Sequence, residues 1–163
     1  MTPSNTTPLL SVRNLRVALQ TSHGHLEALR GVDFEMQRGD TLGLIGESGC
    51  GKSLTALAIM GLLPDRATVS GSIALNGTEL TQLSDEALCT LRGARMAMIF
   101  QEPMSSLSPV HTVGNQIMEV LTLHLRMSKD QARARCVELL TQVEIPNPAK
   151  AVDRYTFEFS GGM

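Results

Sequence analysis

The chain has 163 residues, of which 42% are hydrophobic and 18% charged, with a formal net charge of −2. This length and hydrophobic content predict a globular chain with its own core and exclude a disordered, low-complexity chain. The slightly negative charge and the 3% of aromatic residues argue against a nucleic-acid-binding protein. No apolar run reaches the roughly 18 residues of a membrane span, and the N-terminus shows no signal-peptide pattern. The composition is that of a cytosolic protein.

The cysteines and histidines do not predict a metal site or a disulfide framework. Cys50, Cys89 and Cys136 are widely spaced, odd in number and without a C-x-x-C pair, so reduced thiols are expected. His23 and His25 fall in a predicted turn, where such a pair is more often at the surface than a metal ligand.

The first half of the sequence predicts strands, then a glycine-rich segment and a helix. Residues 1–8 are rich in Thr, Ser and Pro and are expected to be a disordered lead-in. Loose alternation predicts strands over 9–19 and 32–36. The apolar run 41–45 fits a strand buried on both faces of a parallel sheet. Turn signals and composition further predict a helix over 52–63 ended by Pro64, and a strand over 71–75 that turns at Asn76-Gly77.

The second half is predicted to be mainly helical. Ser84 is placed to cap a short helix. The run 96–100 predicts a second continuous apolar strand, and a loop follows over 101–109. Apolar residues at 113, 117, 120, 121 and 125 lie on one face of a helix. Ser128-Lys129-Asp130-Gln131 is a capping-box pattern that opens another helix, which Pro146 and Pro148 stop.

One motif carries chemistry. Residues Gly46-Glu47-Ser48-Gly49-Cys50-Gly51-Lys52-Ser53 match the pattern G-x-x-x-x-G-K-[ST] between a predicted strand and a predicted helix. Glycines let the backbone N–H groups at a helix N-terminus wrap a phosphate. Lys52 adds a point charge, and the Ser53 hydroxyl is suited to Mg²⁺. The motif therefore predicts nucleotide phosphate binding, with Cys50 and Glu47 interpreted as loop residues rather than as a nucleophile and a base.

Later segments narrow the use of this nucleotide site. Gln101 ends the second apolar strand and opens Gln101-Glu102-Pro103-Met104-Ser105-Ser106-Leu107, and the chain ends in Ser160-Gly161-Gly162-Met163. In this order, and together with Thr112-Val113-Gly114, these segments resemble the ATP-binding subunits of ABC transporters. The similarity runs from about Leu9 to Met163 and is greatest to the dipeptide, oligopeptide and nickel importer branch.

The resemblance implies a fold and a division of the chain. The implied fold is α/β, a P-loop NTPase of the ABC nucleotide-binding type. It has an N-terminal antiparallel β part, a RecA-like core and a helical subdomain, and it is incomplete at the C-terminus. Residues 9–102 would be the β-rich and P-loop part of the core, and residues 103–163 the helical subdomain that ends in the signature motif.

The same resemblance implies ATP and Mg²⁺ as ligands. Residues 46–53 would be the Walker A loop, and Leu54 would also contact ATP. Gln101 would be the Q-loop glutamine that touches Mg²⁺ or the attacking water, with Ser53 as the other Mg²⁺ ligand. The signature residues Ser160, Gly161 and Gly162 would bind the nucleotide held by a second ATP-binding subunit in a head-to-tail dimer.

The implied function is to couple ATP binding and hydrolysis to import of peptides or a related small solute. The helical subdomain would dock on transmembrane permease subunits, which places the protein peripherally at the cytoplasmic face of the bacterial inner membrane. Two alternatives stay open. One is a naturally truncated, non-hydrolysing module that competes for the permease subunits. The other is a non-transport ABC ATPase acting on DNA or ribosomes, which the net charge disfavours.

Part of the family pattern has no counterpart in this sequence. No residue matches the Walker B strand, the catalytic Glu or the switch His. His111 and His124 do not match the switch His because both precede the signature. We therefore expect that this chain alone does not turn over ATP. We also expect that some apolar side chains in the two predicted buried strands are partly exposed to solvent. They are Leu42, Leu44, Ile45, Met96, Met98 and Ile99.

Overall fold

The computed structural model describes residues 7–22, 24–101 and 106–163. The chain divides into a first unit, residues 1–92, and a second unit, residues 93–163. Most of the predicted lead-in lies outside the described residues, as do His23 and residues 102–105 of the predicted loop.

The first unit is built on an antiparallel sheet. Its strands are β1 (Leu10–Thr21), β2 (Gly24–Met36), β3 (Ala67–Leu75) and β4 (Thr78–Glu79), in the order β2-β1-β3-β4. Every pair of neighbours is antiparallel. The strands predicted over 9–19, 32–36 and 71–75 are confirmed, and each is longer than predicted. Asn76 and Gly77 both have positive φ, as the predicted hairpin turn requires.

A bulge in β1 aligns the core of this unit. Asn14 has φ 44°, and the register of β1 with both neighbours shifts beside it. Because a bulge adds one residue to one strand, Val12 and Leu15 share a face despite their odd spacing. Val12, Leu15 and Val17 are at most 1% exposed, and Ile73, the register partner of Val12 on β3, is buried as well.

Two helices complete the first unit. The helix α1 (Lys52–Met60) was predicted to continue to residue 63, but it ends earlier because Gly61 adopts a left-handed conformation with φ 64°. The helix α2 (Asp85–Leu91) begins after Ser84, whose hydroxyl accepts a hydrogen bond from the Ala87 N–H at 3.3 Å. The predicted cap is therefore confirmed.

Two predicted strands are absent from the described residues. The runs 41–45 and 96–100 lie in no strand, and Ile45 and Ile99 are 98% and 90% exposed. These two strand predictions are wrong because a strand of a parallel sheet needs a hydrogen-bonded neighbour, and no described strand pairs with either run. Leu42 and Leu44 are exposed to solvent, as expected, while Met96 and Met98 remain half-buried.

The second unit is helical. It contains α3 (Val113–Leu125), α4 (Lys129–Gln142), the unpredicted short helix α5 (Pro148–Ala151) and a 3₁₀ turn (Thr156–Glu158). Both long helices are confirmed. Ser128 and Gln131 form the predicted capping box, with the Ser128 N–H donating to Gln131 Oε1 at 3.0 Å.

The core of the second unit forms where α4 meets α5 and the residues beside it. It consists of Cys136, Leu140, Ile145, Ala151 and Val152. Burial raises the pKa of the Cys136 thiol. All three cysteines are free, as predicted.

Neither a membrane span nor a metal cluster is found in the part of the chain that the structure describes. None of its helices is long and apolar enough to cross a bilayer. No group of three or more His, Cys, Asp or Glu side chains there is arranged to hold a metal ion.

Glu79 on β4 ties together the end of the sheet. Its carboxylate accepts hydrogen bonds from the Ser72 hydroxyl, from the Ile73 N–H at 2.9 Å and from the Thr81 hydroxyl at 2.7 Å. Burial alone would raise the pKa of Glu79, but the hydrogen bonds from Ser72, Ile73 and Thr81 outweigh it and lower the pKa below 4.5.

We expect Glu79→Gln to lower the free energy of unfolding by about 1 kcal/mol at pH 7. The loss is no larger because solvent screens a partly exposed carboxylate. A lowered folded-state pKa stabilises the fold above the unfolded value of 4.5, and this stabilisation is lost as pH falls through the folded-state pKa. Urea unfolding at pH 7 and pH 3 should therefore show a difference between wild type and variant that shrinks in acid. A difference independent of pH would contradict this role for the charge.

Candidate functional site

The glycine-rich segment leads directly into α1. Gly49 and Gly51 have φ 84° and 97°, a left-handed conformation that favours glycine. Gly51 is the residue before α1, and no side chain caps the N-terminal N–H groups of this helix. These N–H groups and the positive end of the helix dipole therefore point toward the loop without a side-chain acceptor.

Glycine is also required at position 51 because there is no room for a side chain. A Cβ atom at Gly51 would lie 2.4 Å from Leu29 Cδ2 and 3.6 Å from the Ala28 carbonyl oxygen. Leu29 is buried in β2, so it has little room to retreat. The start of α1 is thus held directly against the antiparallel sheet.

The Lys52 side chain folds back over the loop. Its Nζ donates to the carbonyl oxygens of Gly46 at 2.7 Å and Glu47 at 2.6 Å, and lies 3.5 Å from Cys50 Sγ. The Cys50 N–H closes the loop by donating to the Glu47 carbonyl at 3.3 Å. A Cβ at Gly46 would lie 2.6 Å from Cys50 Sγ, so the thiol packs against the loop backbone. The arrangement places an ammonium group over the loop that leads into the uncapped start of α1.

The first turn of α1 holds the other predicted contacts. Ser53 is exposed there and Leu54 is half-buried. Sequence reasoning missed Thr55, which is 3% exposed and whose hydroxyl donates to the Gly51 carbonyl at 3.0 Å. This bond fastens the helix to the loop. A hydroxyl four residues after the last loop glycine is the only sequence signal for it.

The remaining predicted site residues belong to the second unit. Gln101 is exposed at a bend just before the undescribed residues 102–105. Ser160, Gly161 and Gly162 are exposed and form a turn, which the Met163 N–H closes by donating to the Ser160 carbonyl at 2.9 Å. The structure therefore brings residues 46–54 together in the first unit, while Gln101 and the Ser-Gly-Gly turn are described within the second.

The segment that leads to this turn is anchored on the helices of its unit. The Gly114 N–H donates to the Val152 carbonyl at 2.9 Å, and a Cβ at Gly114 would lie 2.3 Å from Val152 Cγ1. Arg133 on α4 makes a two-pronged ion pair with Asp153, at 2.9 and 2.7 Å, which lowers the pKa of that carboxyl. The close approach of Val152 to Gly114 explains why glycine follows Thr112-Val113.

Gln116 is a second residue that sequence reasoning missed. Its Oε1 accepts from the Ser108 N–H at 2.8 Å, and its Nε2 donates to the carbonyls of Ser108 and His111 at 3.1 Å each. This side chain fixes the turn before α3. A single glutamine on a helix carries no pattern from which this role could be read.

The profile of the family described as "ABC transporter" matches residues 29–163. This chain belongs to the ABC transporter family. It is 45% identical over 157 residues to the dipeptide transport ATP-binding protein DppD of Bacillus subtilis, a match that covers 95% of this chain and 47% of that protein. It is 46% identical over 155 residues to the oligopeptide transport ATP-binding protein OppD of Escherichia coli, covering 95% and 46%. The chain spans about half the length of the curated relatives it matches.

The fold of this ABC family member also matches that of solved structures. The dimeric post-hydrolysis structure of the ATP-binding cassette MJ0796 bound to ADP and Pi has a TM-score of 0.81 to this chain at 24% identity. The match covers 94% of this chain and 64% of that one. The predicted fold class is confirmed, and DppD and OppD confirm the predicted resemblance to the peptide importer branch.

Proposed function

We propose that this chain binds ATP with Mg²⁺ through residues 46–54 and acts in the ATP-binding subunit of an importer for peptides or a related small solute. The observation that carries the proposal is the loop itself. Left-handed Gly49 and Gly51 lead into an uncapped α1, and the Lys52 ammonium lies over the same loop. The names of DppD and OppD, which state dipeptide and oligopeptide transport, support the substrate class.

In this proposal each part of the loop has one task. The N–H groups of the loop and of the first turn of α1 hold phosphate oxygens. Lys52 exchanges its bonds to the Gly46 and Glu47 carbonyls for bonds to the phosphates, which supply charge that the carbonyls lack.

The chemistry of Ser53 and Gln101 fits Mg²⁺. Their hydroxyl and amide oxygens are hard donors of the kind this ion takes. The bound ion would neutralise phosphate charge. Ser53 would be the ligand that α1 itself orients.

Partners are proposed on the same basis. A second ATP-binding subunit would present its nucleotide to Ser160, Gly161 and Gly162 in a head-to-tail dimer. The exposure of this turn and the dimeric state of the MJ0796 cassette support this. Residues 103–163 would be the helical subdomain that docks on permease subunits at the cytoplasmic face of the membrane, and residues 9–102 the β-rich and P-loop part.

The proposal is tested by titrating the chain with a trinitrophenyl analogue of ATP and displacing it with ATP, ADP or AMP, each with Mg²⁺. We expect AMP to compete at least about tenfold more weakly than ATP, because it lacks the phosphates that the loop would hold. Equal competition by AMP and ATP would refute phosphate recognition.

A further inference from the structure

The helix that carries the phosphate loop needs support from outside itself. With nine residues, α1 is shorter than the roughly 12 residues at which isolated helices become even marginally stable in water. Its N-terminal end has no side-chain cap. Apart from the packing of Gly51 against Leu29, contacts along its body and at its carboxyl end must therefore keep it ordered.

The carboxyl end of α1 has two kinds of cap. The N–H groups of Gly61 and Leu62 donate to the carbonyls of Ala58 and Leu57, at 3.1 and 2.9 Å. The carbonyls of Met60 and Gly61 accept from one guanidinium group. Arg92 Nε donates to the Met60 carbonyl at 2.9 Å, and another nitrogen of the same group donates to the Gly61 carbonyl at 2.7 Å. Arg92 thus satisfies carbonyls that the turn at Gly61 leaves open.

Arg92 is itself held in place. Its guanidinium pairs with Asp85 at the start of α2, at 2.9 Å, and its side chain is only 18% exposed. A Cβ at Gly61 would lie 2.7 Å from Leu88 Cδ1, so the end of α1 lies directly against α2. The planar fork of arginine therefore joins the end of α1 to α2 in one geometry, which a lysine ammonium does not reproduce.

We propose that Arg92 is a positioning residue for the phosphate loop. By fixing the carboxyl end of α1, it keeps the first turn of that helix and residues 46–53 in the conformation that binds phosphate. The two ends of α1 are about 13 Å apart at 1.5 Å per residue, so Arg92 acts through the helix and not on the nucleotide. The inference rests on the proposed function.

The expected effect follows from the fraction of molecules in which α1 is ordered. Apparent affinity falls in proportion to the population of the binding-competent state. Without the guanidinium, two carbonyls at the end of a short helix lose their partner, and α1 frays or shifts from α2. A competent fraction of one third to one tenth raises the apparent Kd about threefold to tenfold.

The test compares Arg92→Gln with the matched control Arg133→Gln, since each removes an arginine that pairs with an aspartate within its own unit. Binding of the trinitrophenyl ATP analogue is measured at a temperature where circular dichroism shows each variant folded. We expect the Kd to rise about threefold to tenfold in Arg92→Gln and to stay within about twofold of wild type in Arg133→Gln. Arg92→Lys, which keeps the charge without the fork, should fall between wild type and Arg92→Gln.

Several outcomes would overturn the inference. A lower melting temperature with a wild-type Kd in Arg92→Gln would make Arg92 a structural residue only. An equal rise of Kd in Arg133→Gln would indicate general loosening. If Arg92→Gln does not fold, Arg92→Lys decides, and a wild-type Kd in that variant overturns the inference. Failure of the wild type to bind the analogue would refute the proposed function as well, whereas wild-type binding with unchanged variants refutes this inference alone.

Discussion

Lys52→Met is expected to weaken ATP binding by about tenfold to a hundredfold, which corresponds to about 1.4 to 2.8 kcal/mol. The Lys52 ammonium already lies at the mouth of the loop, 2.7 and 2.6 Å from the Gly46 and Glu47 carbonyls. In the proposed complex it would contribute charge-assisted hydrogen bonds to phosphate oxygens, the stronger kind of hydrogen bond. Methionine keeps the unbranched stem and the helix propensity, so it removes the charge with little change to α1. Displacement of the trinitrophenyl ATP analogue measures the effect.

Lys150→Met is the matched control, because Lys150 is exposed in the second unit and lies outside the proposed site. It also removes one positive charge, and so it reports the loss of net charge alone. We expect its Kd for the ATP analogue to remain within about twofold of wild type. Equal losses in the two variants would show that the attraction is a general effect of charge. An unchanged Kd in Lys52→Met would show that the loop does not hold the phosphates.

Signals that act over a few residues predicted this structure well. Ser84 and Ser128 cap their helices, and Asn76-Gly77 turns the chain. In each case the hydrogen bond or dihedral angle that forms the cap or turn lies within three or four positions of the residue from which it was predicted. The periodicity of α3 is equally local, because one apolar face repeats along a single helix.

The strand predictions for 41–45 and 96–100 failed because they depend on more than local signals. An apolar run indicates that a segment is suited to burial, but a strand forms only when another strand pairs with it. The exposure of Ile45 and Ile99 shows the result when no described strand does so. The bulge at Asn14 is a milder case, since it shifts the alternation of β1 through contacts with two other strands.

The candidate site divides along the same line. The pattern from Gly46 to Ser53 predicted the loop, because Gly46, Gly51 and Lys52 stand at the fixed positions of that pattern. The clamp of Arg92 on the end of α1 could not be predicted, since Arg92 and Gly61 are 31 positions apart. Only the approach of α2 to α1 brings them together. The sequence thus predicts the residues that would bind the phosphate better than it predicts the residues, such as Arg92, that hold those residues in position.

Gly71→Ala is expected to lower the free energy of unfolding by about 3 kcal/mol or more, the largest loss of stability that we predict. Gly71 lies in β3 with φ 94°, a conformation that costs other residues about 1 kcal/mol. A Cβ there would also lie 2.3 Å from the Asn14 carbonyl oxygen and 2.7 Å from the Arg13 carbonyl oxygen. These atoms are backbone of the bulge in β1. They move only if the ladder between β1 and β3 shifts with them.

Gly39→Ala separates the two costs, because Gly39 has a similar φ of 87° but a Cβ added to it would meet no heavy atom within 4 Å beyond its chain neighbours. It should lose about 1 kcal/mol, from backbone strain alone. Urea unfolding followed by far-ultraviolet circular dichroism compares both variants with wild type. A difference of about 2 kcal/mol between them measures the collision with the bulge. Equal losses would mean that β1 yields easily at Asn14, and that the bulge does not fix the alignment of Val12 and Leu15 in the core.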